Sequence, residues 1–303
     1  MMKILLTGAN GFIGSHLLER LVESYDVSII KRKNSNLSRL RKIEGYKSFN
    51  LDEQSLNEIF ESNFDMVVHL ATHYRKEHKK EDIEEMIRTN ITFPTLLLEN
   101  MVERNVKYFI NTGTFFEYDL SEEALNEDSP ISPYNLYAAT KAGFLENLKF
   151  FSRDHKIKVI DLKLFSPYGP RDNQKFIPYL IKCLLKDVEA HVSLGEQQLD
   201  LTYVGDIVDA YKKSIDYITR MDLGFQSFNI GKGHPESIRR VVELLEDISG
   251  KRGLINMDRD YGERDIFFSC ADNSRSRRIL GWEPKITLEE GLKLTYGDYQ
   301  NGI

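Results

Sequence analysis

Short apolar runs closed by glycine or charge alternate with stretches of helical period along the first half of the chain. Lys3–Thr7 (KILLT) is such a run, ended by Gly8, and reads as a buried strand. The stretch that follows, SHLLERLVES, carries Leu17, Leu18, Leu21 and Val22 on one helical face. Asp26–Lys31, Asp65–Leu70, Lys107–Asn111 and Lys158–Leu164 read as further strands, with helices near 53–62, 82–104 and 135–154. Strands alternating with helices need crossover connections, so the pattern predicts an α/β fold with a doubly wound parallel sheet.

The rhythm changes at SPYGPRD, residues 166–172. Phe176–Leu185, Ser237–Ser249 and Leu288–Tyr299 read as helices, and Leu201–Val204 and Gln226–Ile230 as short strands. This irregular tail predicts a smaller α+β C-terminal lobe. The expected division is 1–166 for the sheet domain and 167–303 for the lobe, with part of 200–232 returning to the main sheet.

Composition narrows the class. Of 303 residues, 41% are hydrophobic and 29% charged, as in ordinary globular domains, and the net charge of −6 argues against a nucleic-acid partner. Cys183 and Cys270 stand far apart without metal-ligand spacing, which predicts reduced structural thiols. MMKILLTGAN is apolar for too few residues to be a signal peptide, and no apolar run approaches the ~18 residues that span a bilayer. A cytoplasmic protein without membrane partners is expected.

The first chemical motif is TGANGFIG, residues 7–14. Its glycines fall between a predicted strand and a predicted helix. Gly8 suits a tight turn, Gly11 allows a pyrophosphate to approach the backbone, and Gly14 allows the helix to pack against the strand. The N–H groups at the helix start would face the phosphates. Gly8, Asn10, Gly11, Phe12, Ile13 and Gly14 are therefore candidate cofactor residues, and the sheet is expected to be Rossmann-type. At the end of the second strand the chain reads Lys31-Arg32-Lys33-Asn34-Ser35, where NAD enzymes place a carboxylate on the ribose. A carboxylate would repel a 2′-phosphate, whereas Arg32 can bind one bidentately. Lys31, Arg32 and Ser35 thus point to NADP (NADPH), with NAD as the alternative.

Tyr137 and Lys141 are four residues apart on a predicted helix and share a face. An ammonium beside a phenol favours the phenolate, which suits Tyr137 to proton transfer near neutral pH. His69, His73 and His78 lie in HLATHYRKEHKK, a strand end running into a mixed-charge loop, and no metal site is predicted.

These motifs together resemble a known family. TGANGFIG, HLAT at 69–72, Asn90, NTGT at 111–114, YAATK at 137–141 and PYGP at 167–170 occur in the order seen in extended short-chain dehydrogenases/reductases acting on nucleotide sugars. The resemblance covers nearly the whole chain. It implies Tyr137 as the acid/base, Lys141 as the residue that binds the nicotinamide ribose and lowers the Tyr pKa, and Thr114 as a hydrogen-bond partner of the substrate oxygen. It places Leu70, Ala71, Thr72, Asn90 and Phe165 along the cofactor. His73, Phe115, Ser166, Phe176, Ile177 and Arg264 would lie near the substrate, with Tyr168 close by and Arg259 a rival to Arg264 for the diphosphate. A homodimer built through helices near 90–104 and 135–154 is also implied.

Three chemistries share such a scaffold: 4-epimerisation, 4,6-dehydration and 4-keto reduction. Dehydratases of this kind resemble TDEVYG at the Thr114 region, but here the chain reads Thr114-Phe115-Phe116-Glu117-Tyr118. Both carboxylate positions are Phe, and Glu117 falls one position late, so dehydration is not expected. The basic turn favours exchangeable NADPH and therefore net reduction. NTGTFFEY and PYNLYAATK are similar to the CDP-abequose/CDP-paratose synthase group, which implies a 4-ketoreductase acting on a CDP-, UDP- or dTDP-linked 4-keto-6-deoxy sugar for surface polysaccharide. An NAD-dependent 4-epimerase is the second reading, and a dinucleotide-binding regulator the non-enzyme one. LDLTYV at 199–204 lacks the Arg that often precedes such a strand.

Overall fold

A computed structural model of the chain describes residues 1–172, 175–222 and 224–302. Its centre is a seven-stranded parallel sheet of β1 (Lys3–Thr7), β2 (Asp26–Lys31), β3 (Tyr46–Asn50), β4 (Met66–His69), β5 (Tyr108–Thr114), β6 (Lys158–Leu164) and β7 (Phe225–Ile230). The strand order is β7-β6-β5-β4-β1-β2-β3. β1 is in register with β2 on one side and β4 on the other. The order therefore reverses between β1 and β4, which opens a crevice at the carboxyl ends of those strands.

The helices in chain order are α1 (Phe12–Leu21), α2 (Leu56–Phe60), α3 (Asp82–Ile87), α4 (Phe93–Glu103), α5 (Leu136–His155), α6 (Phe176–Leu185), α7 (Val204–Ile218), α8 (Ile238–Ser249) and α9 (Leu288–Gly302). One face of the sheet is covered by α1 and α7, whose Leu17, Leu18, Leu21, Ile207, Tyr211 and Ile215 pack on Ile4, Leu6, Val68 and Ile160. The opposite face is covered by α2, α4 and α5, through Ile59, Leu97, Leu98, Phe144 and Leu148 on Leu5, Val67 and Phe109. The central strands are buried on both faces, which is why they read as continuous apolar runs.

A second core joins α6, α8 and α9 through Leu180, Leu184, Val241, Leu245 and Leu292. Short two-residue strands and the pair Ala190–Ser193 with Ile255–Arg259 complete this lobe. The chain leaves the sheet after β6, builds α6, and returns through α7 to β7, which pairs with β6 from Phe225↔Val159 to Ile230↔Leu164. Asp200 staples this return. Its buried carboxylate accepts the N–H groups of Lys232, Gly233 and Ala271 at 2.6, 2.9 and 2.9 Å.

Besides the short strands of the lobe, two elements of the sheet unit were not anticipated. β3 (YKSFN) is an edge strand with two exposed positions and no apolar run. α7 has a clear period through Val204, Ile207, Val208, Tyr211, Ile215 and Ile218, but its start directly abuts the short strand Thr202–Tyr203.

Candidate active site

The turn after β1 is built for close approach. Gly8 has φ +72°, and a Cβ there would lie 2.6 Å from the Ala71 nitrogen and the Leu70 carbonyl carbon. A Cβ on Gly14 would collide with the Gly8 carbonyl. Gly11 N–H donates to the Gly8 carbonyl at 2.9 Å and caps α1 with no side chain over its first turn. The N–H groups of Phe12, Ile13 and Gly14 have no intrahelical acceptor by the geometry of a helix start, so they are available to an anion. Asn10 is anchored differently, donating to the Asn36 carbonyl at 3.3 Å. A dinucleotide pyrophosphate fits this cradle.

Thr7 joins the two walls of the crevice. Its hydroxyl is 2.7 Å from His69 Nδ1 and accepts the Ala71 N–H at 3.2 Å. His69 is fully buried, and burial, with Lys141 adding to it, holds its pKa well below the ordinary value, so it sits there neutral. Asn90 then fixes the loop after β4. Its Oδ1 accepts from the Thr72 hydroxyl (3.1 Å) and His73 N–H (2.8 Å), and its Nδ2 donates to the His73 carbonyl (3.1 Å) and Thr140 hydroxyl (2.9 Å). Those four bonds use both donors and both acceptor positions of the amide. The Asn90 side chain therefore shapes the wall of the crevice from behind.

Tyr137 and Lys141 stand on consecutive turns of α5, both buried, with α5 capped by Asn135 Oδ1 accepting the Ala138 N–H at 2.9 Å. The Tyr137 hydroxyl lies near the Thr72 side chain, and its ring meets Tyr74 edge-on with centroids 4.9 Å apart. Lys141 is pulled down to about 8 by burial, against the pull of Glu117 and Asp161. For Tyr137 the structure differs from the expectation of a lowered pKa. Burial pushes the phenol above its ordinary value, the charge of Glu117 adds to this, and the nearby Thr72 side chain offsets only part.

Thr114 ends β5 and caps the turn Phe115–Glu117. Its N–H donates to Glu117 Oε1 at 2.8 Å. Glu117 Oε2 in turn takes the Lys163 ammonium at 2.6 Å. Asp161 and Lys163 were not singled out from the sequence, and Glu117 was weighed there only as a dehydratase carboxylate one position late. The visible signal was Asp161 and Lys163 at alternate positions of an otherwise apolar strand, and Glu117 among aromatic residues. Phe115 stacks on the buried Phe165, centroids 5.1 Å apart and planes 19° apart. Phe116 lies against Tyr134 at 5.4 Å.

The remaining candidates are more spread out. Lys31 ends β2, and Ser35 Oγ accepts the Arg32 N–H at 3.0 Å. Arg32 pairs with Glu85 of α3 at 2.9 Å and reaches the Thr89 hydroxyl at 3.4 Å. Ser166 follows β6 with φ +27°, and its carbonyl accepts the Thr202 N–H at 3.3 Å. Phe176 and Ile177 open α6 in the lobe, Ile177 in its core. Arg264 is exposed, and its carbonyl accepts the Tyr134 hydroxyl. His73 Nε2 lies 3.8 Å from Asp82. Among the described residues no cluster of His, Cys, Asp and Glu could hold a metal ion, and no helix is long and apolar enough to cross a membrane.

The chain is similar in sequence and fold to known proteins. The profile of the NAD dependent epimerase/dehydratase family matches residues 4–231. The CDP-abequose synthase of Salmonella muenchen is 29% identical over 297 residues, covering 96% of each chain. The dTDP-4-dehydro-6-deoxyglucose reductase of Escherichia coli is 28% identical over 311 residues, covering 95% of each. The crystal structure of the UDP-glucuronic acid 4-epimerase from Bacillus cereus, in complex with UDP-glucuronic acid and NAD, superposes with a TM-score of 0.89 at 27% identity over the full length of both chains.

Proposed function

The chain belongs to the NAD dependent epimerase/dehydratase family, and we propose that within it the protein reduces the C4 ketone of a nucleotide-linked 4-keto-6-deoxy sugar with NADPH. The observation that carries this reading is the state of Glu117. It is the one carboxylate in the segment Thr114–Tyr118, and it is held between the Thr114 N–H and the Lys163 ammonium in the protein interior. An acid or base for removing water would need a mobile carboxylate here. Phe115 and Phe116 supply none, which leaves Tyr137 and Thr114 as the groups that handle the substrate oxygen.

When bound, the cofactor supplies the hydride to C4. The first turn of α1 would hold its pyrophosphate, Lys31, Arg32 and Ser35 the adenosine ribose, and Lys141 the nicotinamide ribose. Tyr137 donates its proton to the C4 oxygen as that oxygen gains charge, and Thr114 donates a hydrogen bond to the same atom. The raised pKa of Tyr137 suits it to hold its proton until this moment. The sheet unit, residues 1–166 with the returning segment through β7, carries the cofactor, and the rest of the lobe carries the nucleotide sugar, with His73, Phe115, Ser166, Phe176, Ile177 and Arg264 facing it. The product would serve deoxysugar assembly in the cytoplasm. Leu96 of α4 and Phe150 of α5 are 49% and 43% exposed, an apolar surface suited to a homodimer.

The Arg32–Glu85 pair favours one alternative, a 4-epimerase using NAD, because a 2′-phosphate would have to compete with Glu85 for the guanidinium. Purified protein incubated with NADPH and CDP-, UDP- or dTDP-4-keto-6-deoxyglucose separates the two. Loss of reduced nicotinamide matched by a new C4 alcohol supports reduction. Inversion at C4 of a UDP-sugar with no net cofactor consumption would replace it with epimerisation.

A further inference from the structure

The carboxyl ends of β5 and β6 enclose a cluster of charges away from water. Lys163 Nζ lies 2.6 Å from Glu117 and 3.3 Å from Asp161, and all three side chains are 1–2% exposed. Asp161 also accepts from Asn111 Nδ2 at 2.6 Å and the Ser227 hydroxyl at 3.2 Å. A Cβ on Gly113 would sit 2.9 Å from Asp161 Oδ1 and 3.0 Å from Glu117 Oε1, so a glycine admits the two carboxylates side by side. Two carboxylates sharing one ammonium leave an excess of negative charge in the interior, which is costly unless balanced: burial pushes the Glu117 carboxyl above its ordinary range, Asp161 adds to this, and the Lys163 ammonium and the Thr114 N–H oppose it. Among the described residues the other buried cation is Lys141.

We propose that Glu117 and Asp161 are the buried counter-charges of the Lys141 ammonium, with Lys163 bridging them, and that Glu117 is a positioning residue which also fixes Thr114 through its N–H. With both carboxylates ionised and both lysines protonated, the four groups form a balanced set, two negative and two positive. Glu117 thereby couples the backbone of the hydroxyl donor to the charge state of the lysine beside the acid/base. The effects on Lys141 have matching signs: burial lowers its pKa most, Glu117 and Asp161 raise it, and Lys163 lowers it. His69 of β4 also faces it and is neutral, Tyr137 is on its own helix, and Tyr211 of α7 faces Asp161 and Tyr137 as a neutral phenol. The inference rests on the roles proposed above for Thr114, Tyr137 and Lys141.

The test uses whole protein labelled with 13Cε-lysine, with the Lys141 resonance assigned from Lys141→Met. Glu117→Gln keeps an acceptor for Thr114 and removes the charge. It should lower the Lys141 titration midpoint by about one pH unit or more, the size expected for loss of a near opposite charge. Lys163→Met should raise the midpoint, and the double variant should return it toward wild type. If Glu117→Gln does not fold, Asp161→Asn makes the same prediction as Glu117→Gln. A midpoint that stays put in a folded single variant overturns the proposal, as does a double variant no different from Glu117→Gln. With a 4-keto sugar nucleotide, Glu117→Gln should lower kcat and move its pH profile while KM changes little. Failure of wild type to turn over any such substrate would remove the ketoreductase reading and leave the midpoint readout intact.

Discussion

Arg32 and Glu85, 53 residues apart in the chain, form an ion pair at 2.9 Å beyond the end of β2. Glu85 also accepts from Arg88 and from the Thr89 hydroxyl, and these bonds hold its carboxyl down at about 2 despite partial burial. The guanidinium proposed to read a 2′-phosphate is thus pre-oriented by an acid delivered from another helix. Glu85→Gln should remove the competing charge and tighten NADPH more than NADH. Arg32→Ala should weaken NADPH by roughly tenfold or more, as expected for a lost charge-assisted hydrogen bond, and leave NADH nearly unchanged. Dissociation constants for both cofactors decide it, and equal losses for both would remove Arg32 as the phosphate reader.

That pair also marks where sequence reading stops. The KRKNS turn was legible because it is contiguous and follows a recognisable strand, but nothing local announces Glu85. The parallel sheet was legible for a similar reason: β1, β2, β4, β5 and β6 are buried on both faces and appear as apolar runs. β3 hid because an edge strand needs few apolar positions. The Tyr137–Lys141 spacing marked a helix face, but the phenol's environment is set first by burial and then by Glu117 and Thr72, residues distant in sequence. The saturation of Asn90 likewise depends on partners 17 and 50 residues away.

Tyr137→Phe removes one hydroxyl and keeps the ring that meets Tyr74 edge-on. The fold and NADPH affinity should survive. Turnover of a 4-keto sugar nucleotide should fall by about 10²–10⁴, the usual worth of a positioned general acid. Steady-state kinetics beside a cofactor titration checks both halves. Undiminished turnover would shift the proton donor to another group.

Gly14 offers a test of the cradle that needs no substrate. A methyl group there meets the Gly8 carbonyl, which is backbone and cannot swing aside. Gly14→Ala should therefore separate α1 from the turn, costing about 1–3 kcal/mol of stability by overpacking. Cofactor binding should weaken beyond what the stability loss explains. Gly297→Ala is the control, since a Cβ at that position meets nothing within 4 Å. Similar behaviour of the two variants would mean that the turn tolerates widening and does not grip a pyrophosphate.

Lys141 sets stability and activity against one another as pH changes. Its pKa in the fold is about 8, below the ordinary 10.5, because burial disfavours the ammonium. Below about 8 both folded and unfolded chains carry the proton, and the fold bears the whole cost of burying it. Between 8 and 10.5 the folded chain gives up the proton first, the unfolded chain holds more protons, and stability from this group rises with pH. The stability of wild type relative to Lys141→Met should accordingly rise as pH climbs from 8 to 10.5, on top of whatever the variant loses by leaving Glu117 and Asp161 without this counter-charge. Catalysis should run the other way, because the ribose-binding role assigned to Lys141 needs the ammonium: wild-type kcat/KM should fall above about 8, and Lys141→Met should be nearly inactive throughout. Urea unfolding of both proteins across this pH range, beside the pH–rate profile, measures the two limbs together. A stability gap constant from pH 7 to 10.5 would mean that Lys141 keeps its ordinary pKa in the fold, and that the alkaline limb, if present, belongs to another group.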